Sequence, residues 1–128
     1  MVKVTISKDG EAFLEKKMKK RKGKLNLVLH LKSINKNCYT KYDAEFTFET
    51  DDNYLRNIDK ISEWKGKIDI YLDPAVESIL EDKNDLKIIL AGKLFKYLTV
   101  ENVNSKIKYG CKVSFGKDVI TSGLNINK

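Results

Sequence analysis

Few residues in this chain are equipped for chemistry. Two cysteines, Cys38 and Cys111, stand far apart in the sequence. A thiolate is a nucleophile and a soft metal ligand, and neighbouring cations such as Lys36 and Lys112 favour that form over the thiol. In an intracellular chain a disulfide is the less expected use of two cysteines. His30 is the only histidine, so one chain cannot build a multi-histidine metal site or an HExxH protease. A Ser-His-Asp triad would have to use His30, which lies in an alternating apolar run and reads as a partly exposed strand residue. The carboxylates Asp51 and Asp52 fall in the acidic stretch 49–53 (ETDDN). That stretch lacks the spacing of a calcium-binding EF-hand loop and reads as a solvated turn.

The second feature is charge. Lysine and arginine total 25 against 18 acidic residues, a net charge of +7, but only Arg21 and Arg56 are arginine. Base and phosphate recognition favours the arginine fork, so a lysine excess is a weak sign of nucleic-acid binding. The densest block is 16–22 (KKMKKRK). It can be a patch for phosphate or an acidic partner, or a solvated helix end whose cations face the negative pole of the dipole. The aromatic residues are not interleaved with it as in single-strand binders, and Trp64 reads as a packing residue. The glycines are scattered, with no phosphate loop and no dinucleotide-binding pattern. With no nucleophile–base pair visible, the chain reads as a non-enzyme.

These residues need a scaffold. With 128 residues, 41% hydrophobic, one proline and seven glycines, the chain suits a single domain with a real core. No run approaches the ~20 apolar residues of a membrane span, and the start lacks a signal-peptide build. A soluble, cytoplasmic protein with no membrane partner is expected. Residues 2–6 (VKVTI) alternate as a strand. Ser7, with acidic residues after it, opens a helix over about 8–21, ending at Gly23. Ala12, Phe13, Leu14 and Met18 make its narrow apolar stripe. Strands are expected over 25–31 (LNLVLHL), 42–48 (YDAEFTF), 67–72 (KIDIYL), 86–90 (LKIIL), 94–100 (LFKYLTV) and around 111–115. Residues 32–41 read as a polar loop bearing Cys38. Asp73 and Pro74 open a short central helix, with Ala75, Val76, Ile79 and Leu80 on its buried side. The fold class is therefore α+β: single-domain and strand-rich, with mixed or antiparallel sheet, an N-terminal helix and a short central helix.

The order of these pieces, together with local motifs, resembles the HesB-like family, the A-type iron–sulfur cluster carriers. Residues 4–14 (VTISKDGEAFL) are similar to that family's opening strand and helix. Residues 38–46 (CYTKYDAEF) resemble its cysteine loop and the aromatic strand after it. Residues 70–80 (IYLDPAVESIL) resemble the strand ending in Val-Asp-Pro, and 95–104 (FKYLTVENVN) the segment before the terminal cysteines. Residues 109–115 (YGCKVSF) stand where the family places Cys-Gly-Cys. The resemblance covers about residues 2–115, leaving 116–128 as a C-terminal extension in which 119–121 and 124–126 either add a strand or stay flexible.

The resemblance implies a carrier of iron or a 2Fe–2S cluster, bound through Cys38 and Cys111, with iron–sulfur client or assembly proteins as partners. Three cysteines are usual in the family. Here Tyr109 occupies the second position, where a tyrosinate is a possible ligand to ferric iron. Asn37 and Tyr39 replace the glycines that usually flank the first cysteine. A cluster is usually held by four thiolates, so two cysteines per chain imply a homodimer. The alternatives are a HesB-like domain that has lost metal and serves as a protein-interaction module, or a lysine-rich nucleic-acid binder.

Overall fold

A computed structural model describes residues 2–104, 106–109, 111–115 and 118–122. At positions 36, 106, 111–115 and 118–122 it describes the backbone alone.

The chain opens with β1 (Lys3–Ile6) and α1 (Lys8–Lys20). Ser7 caps the helix, its Oγ accepting from Gly10 N at 3.1 Å. Arg21 turns the backbone out of the helix, and Gly23 follows at φ +86°. The stripe along α1 is narrower than the sequence suggests. Leu14 alone is fully buried, Phe13 and Met18 are half-buried, and Ala12 is exposed.

β2 (Leu25–Lys36) and β3 (Tyr39–Phe48) form a long antiparallel hairpin, paired from Leu27↔Phe48 to Lys36↔Tyr39. This corrects the polar loop expected over 32–41. The polar residues are carried on two paired strands, and only Asn37 and Cys38 make the turn. α2 (Asp52–Arg56) and β4 (Asp59–Trp64) follow, both unassigned from sequence. Asp51 caps α2 by accepting from Asn53 N and Tyr54 N, so the acidic stretch is a helix start.

β5 (Ile68–Leu72) runs antiparallel to β4 and parallel to β2. A 3-10 helix over Pro74–Ile79 comes next, capped by Asp73, with Val76 and Ile79 buried. β6 (Asp85–Ala91) pairs parallel with β1 and antiparallel with β7 (Tyr97–Val100). The strand expected over 94–100 thus begins three residues later, and Leu94 and Phe95 lie in the turn. β8 (Lys106–Tyr109) adds to the open edge of β3. β9 (Cys111–Phe115) and β10 (Asp118–Ser122) pair as an antiparallel ribbon. Residues 123–128, including the strand considered over 124–126, lie outside the described residues.

The result is a strand-rich α+β single domain with two mixed sheets, ordered β4-β5-β2-β3-β8 and β1-β6-β7. Leu27, Leu29, Phe46, Ile68 and Ile70 of the larger sheet share one core with Leu86, Ile88, Leu98 and Val100 of the smaller. Leu14 of α1 and Val76 and Ile79 of the 3-10 helix complete it. One polar bond stitches the sheets: Thr99 Oγ1 on β7 donates to Ala44 O on β3 at 2.7 Å.

Candidate functional site

The register of β3 with β8 decides where the two cysteines lie. Tyr39 pairs with Tyr109, the last residue pair of that ladder. Cys38 immediately precedes Tyr39, and Cys111 follows Tyr109 by two positions. The topology therefore carries two cysteines that are remote in sequence to one end of the larger sheet. Cys38 is exposed in the hairpin turn and is disulfide-bonded. The sequence holds one other cysteine, Cys111. This corrects the expectation that a disulfide is the less probable use of the cysteines. The compartment argument weighed redox conditions, while the fold supplies the proximity.

Around Cys38 the surface is a shallow polar concavity lined by Asn35, Asn37 and Tyr39. Thr40 Oγ1 donates to Asn35 Oδ1 at 2.9 Å and braces its rim. The ring of Tyr109 lies 6.1 Å from that of Tyr39, tilted by 50°. That is ordinary aromatic packing across the β3–β8 pair. The side chains of Lys36, Cys111 and Lys112 lie outside the described residues.

Iron–sulfur cargo needs four sulfur donors and gets at most two from one chain. Among the described residues no group of three or more His, Cys, Asp or Glu side chains could hold a metal ion. A disulfide sulfur carries no thiolate charge, so the oxidised form described here does not fit a cluster. Only reduction, with a second copy of the chain, would complete the donor set.

A second concave region gathers titratable groups. It is an open cleft of about 620 Å³ lined by His30, Glu49, Asp51, Tyr54 and Asp73 over a floor that includes Val28 and Leu31. His30 is half-buried on β2, paired across the hairpin with Glu45. The Tyr54 hydroxyl donates to Asp73 Oδ2. Burial first, then this bond and the charges of Asp73 and Glu49, pushes the Tyr54 phenol well above its usual range. The carboxylates are occupied as caps. Asp73 Oδ1 accepts from Ala75 N, Asp51 Oδ1 from Asn53 N and Tyr54 N, and Glu49 Oε1 from Thr50 N and Asp51 N. The cleft ties α2 to the 3-10 helix. Sequence reasoning identified the Asp73 cap but gave no signal for Tyr54, whose partner is 19 residues away.

The basic block resolves into separate jobs. The ammonium of Lys17 sits 5.3 Å from the Phe13 ring centroid, and the Arg21 guanidinium 5.0 Å from that of Phe48. Lys16 and Lys19 face a cleft shared with Phe13, Leu90 and Lys96. Among the described residues no helix is long and apolar enough to cross a membrane.

No protein-family model, no curated protein and no solved structure matches this chain.

Proposed function

We propose that this chain is a HesB-like carrier of iron or a 2Fe–2S cluster that works in its reduced state, with Cys38 and Cys111 as donors. The observation that carries this reading is the β3–β8 register, which brings the segments bearing both cysteines to one exposed end of the sheet. Reduction by a dithiol adds two electrons and two protons and converts the disulfide into two thiols. Metal binding then displaces the protons, because the thiolate is the ligand. Two chains would supply the four sulfurs that a cluster takes. An exposed, two-donor half-site suits transfer, since cargo held across a subunit boundary is released when a client's thiolates replace one half. The role is ligand exchange, with no bond of an organic substrate made or broken, so the protein is read as a carrier and not an enzyme.

A second reading is favoured by the disulfide itself. If Cys38 stays oxidised under working conditions, the thiolates are withheld. The chain is then a metal-free interaction module on the same scaffold, stapled at the hairpin turn.

Anaerobic reconstitution separates the two. The protein is reduced with excess dithiol, freed of it, and supplied with ferrous iron and sulfide, with Cys38→Ser/Cys111→Ser as control. The carrier predicts a cysteine-dependent visible chromophore at about one iron per chain that co-elutes with a dimer. A folded, fully reduced protein that stays colourless would end the carrier reading and leave the interaction module.

A further inference from the structure

We propose that the β6–β7 turn is a membrane-docking tip that inserts Leu94 and Phe95 into the surface of an anionic lipid bilayer. Leu94 is 91% exposed and Phe95 88%, the exposed large hydrophobic residues of the described chain. Two adjacent apolar side chains left in water are unusual when every other large apolar side chain among the described residues finds at least partial cover.

The turn holds them out. Gly92 has φ +96°, and a Cβ built there would lie 2.1 Å from Phe95 O. That spacing records how tightly the loop folds on itself. Lys96 Nζ donates back to Gly92 O at 2.7 Å and closes the loop. The apolar pair therefore projects from a braced turn and does not fold back onto the domain.

Charge selects the partner. Lys93 and Lys96 flank the pair in sequence. Lys96 also lines one cleft with Lys16 and Lys19 of α1, so the base of the turn adjoins the basic helix. The acidic residues of that cleft, Asp9 and Glu15, are engaged. Asp9 Oδ1 accepts from Ser7 Oγ and Gly10 N, and Glu15 Oε1 accepts from Lys65 Nζ at 2.7 Å. An exposed apolar pair next to exposed Lys93, on a turn that adjoins the basic helix, fits a fluid anionic interface, where ammoniums sit among phosphates and the apolar groups reach the acyl boundary. Lysine suffices there, because a diffuse negative surface needs no bidentate fork. A second copy of this chain is a poor occupant, since it would set lysines against lysines. The absence of a spanning run, which led the sequence reading to expect no membrane partner, concerns insertion across a bilayer and leaves surface docking open.

Co-sedimentation with vesicles tests the assignment. Phosphatidylcholine vesicles with and without phosphatidylglycerol are compared at low and high salt. The wild type should bind the anionic vesicles, release them as salt rises, and leave neutral vesicles largely unbound. Lys93→Glu should weaken binding about fivefold or more. Leu94→Ser/Phe95→Ser should weaken it at least about tenfold with an unchanged circular dichroism spectrum, because neither side chain supports the core. Phe95→Trp should add a blue-shifted emission component when anionic vesicles are present. No binding at low salt, equal binding to neutral vesicles, or binding retained in the double serine variant would each overturn the proposal. The first of these would leave the tip to an acidic protein surface.

Discussion

Asp69 shows how a single residue on β5 tolerates burial. It is 8% exposed in a strand otherwise filled with Ile68, Ile70 and Leu72, where a lone carboxylate would be costly. Lys24 and Lys60 place their ammoniums 3.0 Å from its Oδ1, and Glu63 joins both lysines at 3.3–3.4 Å. Burial pushes the Asp69 carboxyl up, but the two lysines outweigh it and hold it below the usual carboxylate range. The same contacts hold both lysines above theirs. A depressed acidic pKa stabilises the fold above the unfolded value of about 4, and that contribution is lost as pH falls through the folded value. Asp69→Asn should therefore destabilise by about 1–2 kcal/mol at neutral pH, a modest figure because the lysines are half in water. The gap from wild type should close in urea melts taken at progressively lower pH below about 4. A gap that stays constant into strong acid would mean that the shape of Asp69 matters and its charge does not.

Elements with strict periodicity were legible in the sequence, and those set by tertiary register were not. Residues 25–31 and 67–72 alternate and are β-branched or leucine-rich, and both are strands. Ser7 and Asp73 are caps because their side-chain oxygens meet orphan backbone donors nearby. α2 was hidden because an acidic stretch of that composition reads equally as a turn. Residues 32–41 were hidden because a two-sided polar hairpin has no apolar alternation to betray it. Leu94 and Phe95 look like strand residues to any propensity scale. What removes them from β7 is Gly92, whose left-handed backbone ends β6 one residue after Ala91. That the segments bearing Cys38 and Cys111 lie at one end of the sheet was not legible in the spacing, which cannot bring two remote positions together. The turn at Gly92 makes its own prediction. In Gly92→Ala the new methyl meets Phe95 O and the φ is unfavourable for an L-residue, so the loop must open. The cost should be about 1–3 kcal/mol in chemical denaturation. Because the break is confined to the turn, vesicle binding should fall along with stability.

At the scale of the whole molecule the domain divides by what anchors it. The described core draws on α1, β2, β3, β5, the 3-10 helix, β6 and β7, with Val103 packed at its margin. β8 joins that body through four residue pairs on the edge of β3, and β9 and β10 pair with each other. The disulfide at Cys38 is placed where this edge ladder begins, next to the Tyr39–Tyr109 pair. Reduction should then have a local signature. Hydrogen exchange of peptides covering Lys106–Tyr109 should quicken in dithiol or in Cys38→Ser. Peptides from β2, β5 and β6 should keep their protection, as expected when a weakly anchored unit opens independently of the core. The loss of global stability should lie at or below the low end of the 2–4 kcal/mol typical of a disulfide. This pattern matters for the carrier reading, because cargo can be shared between subunits only if the reduced chain keeps its core while Cys38 is released. Uniform loss of protection across β2 and β8 on reduction would show that the disulfide staples the entire fold. In that case the reduced state would be too costly to serve as a working form.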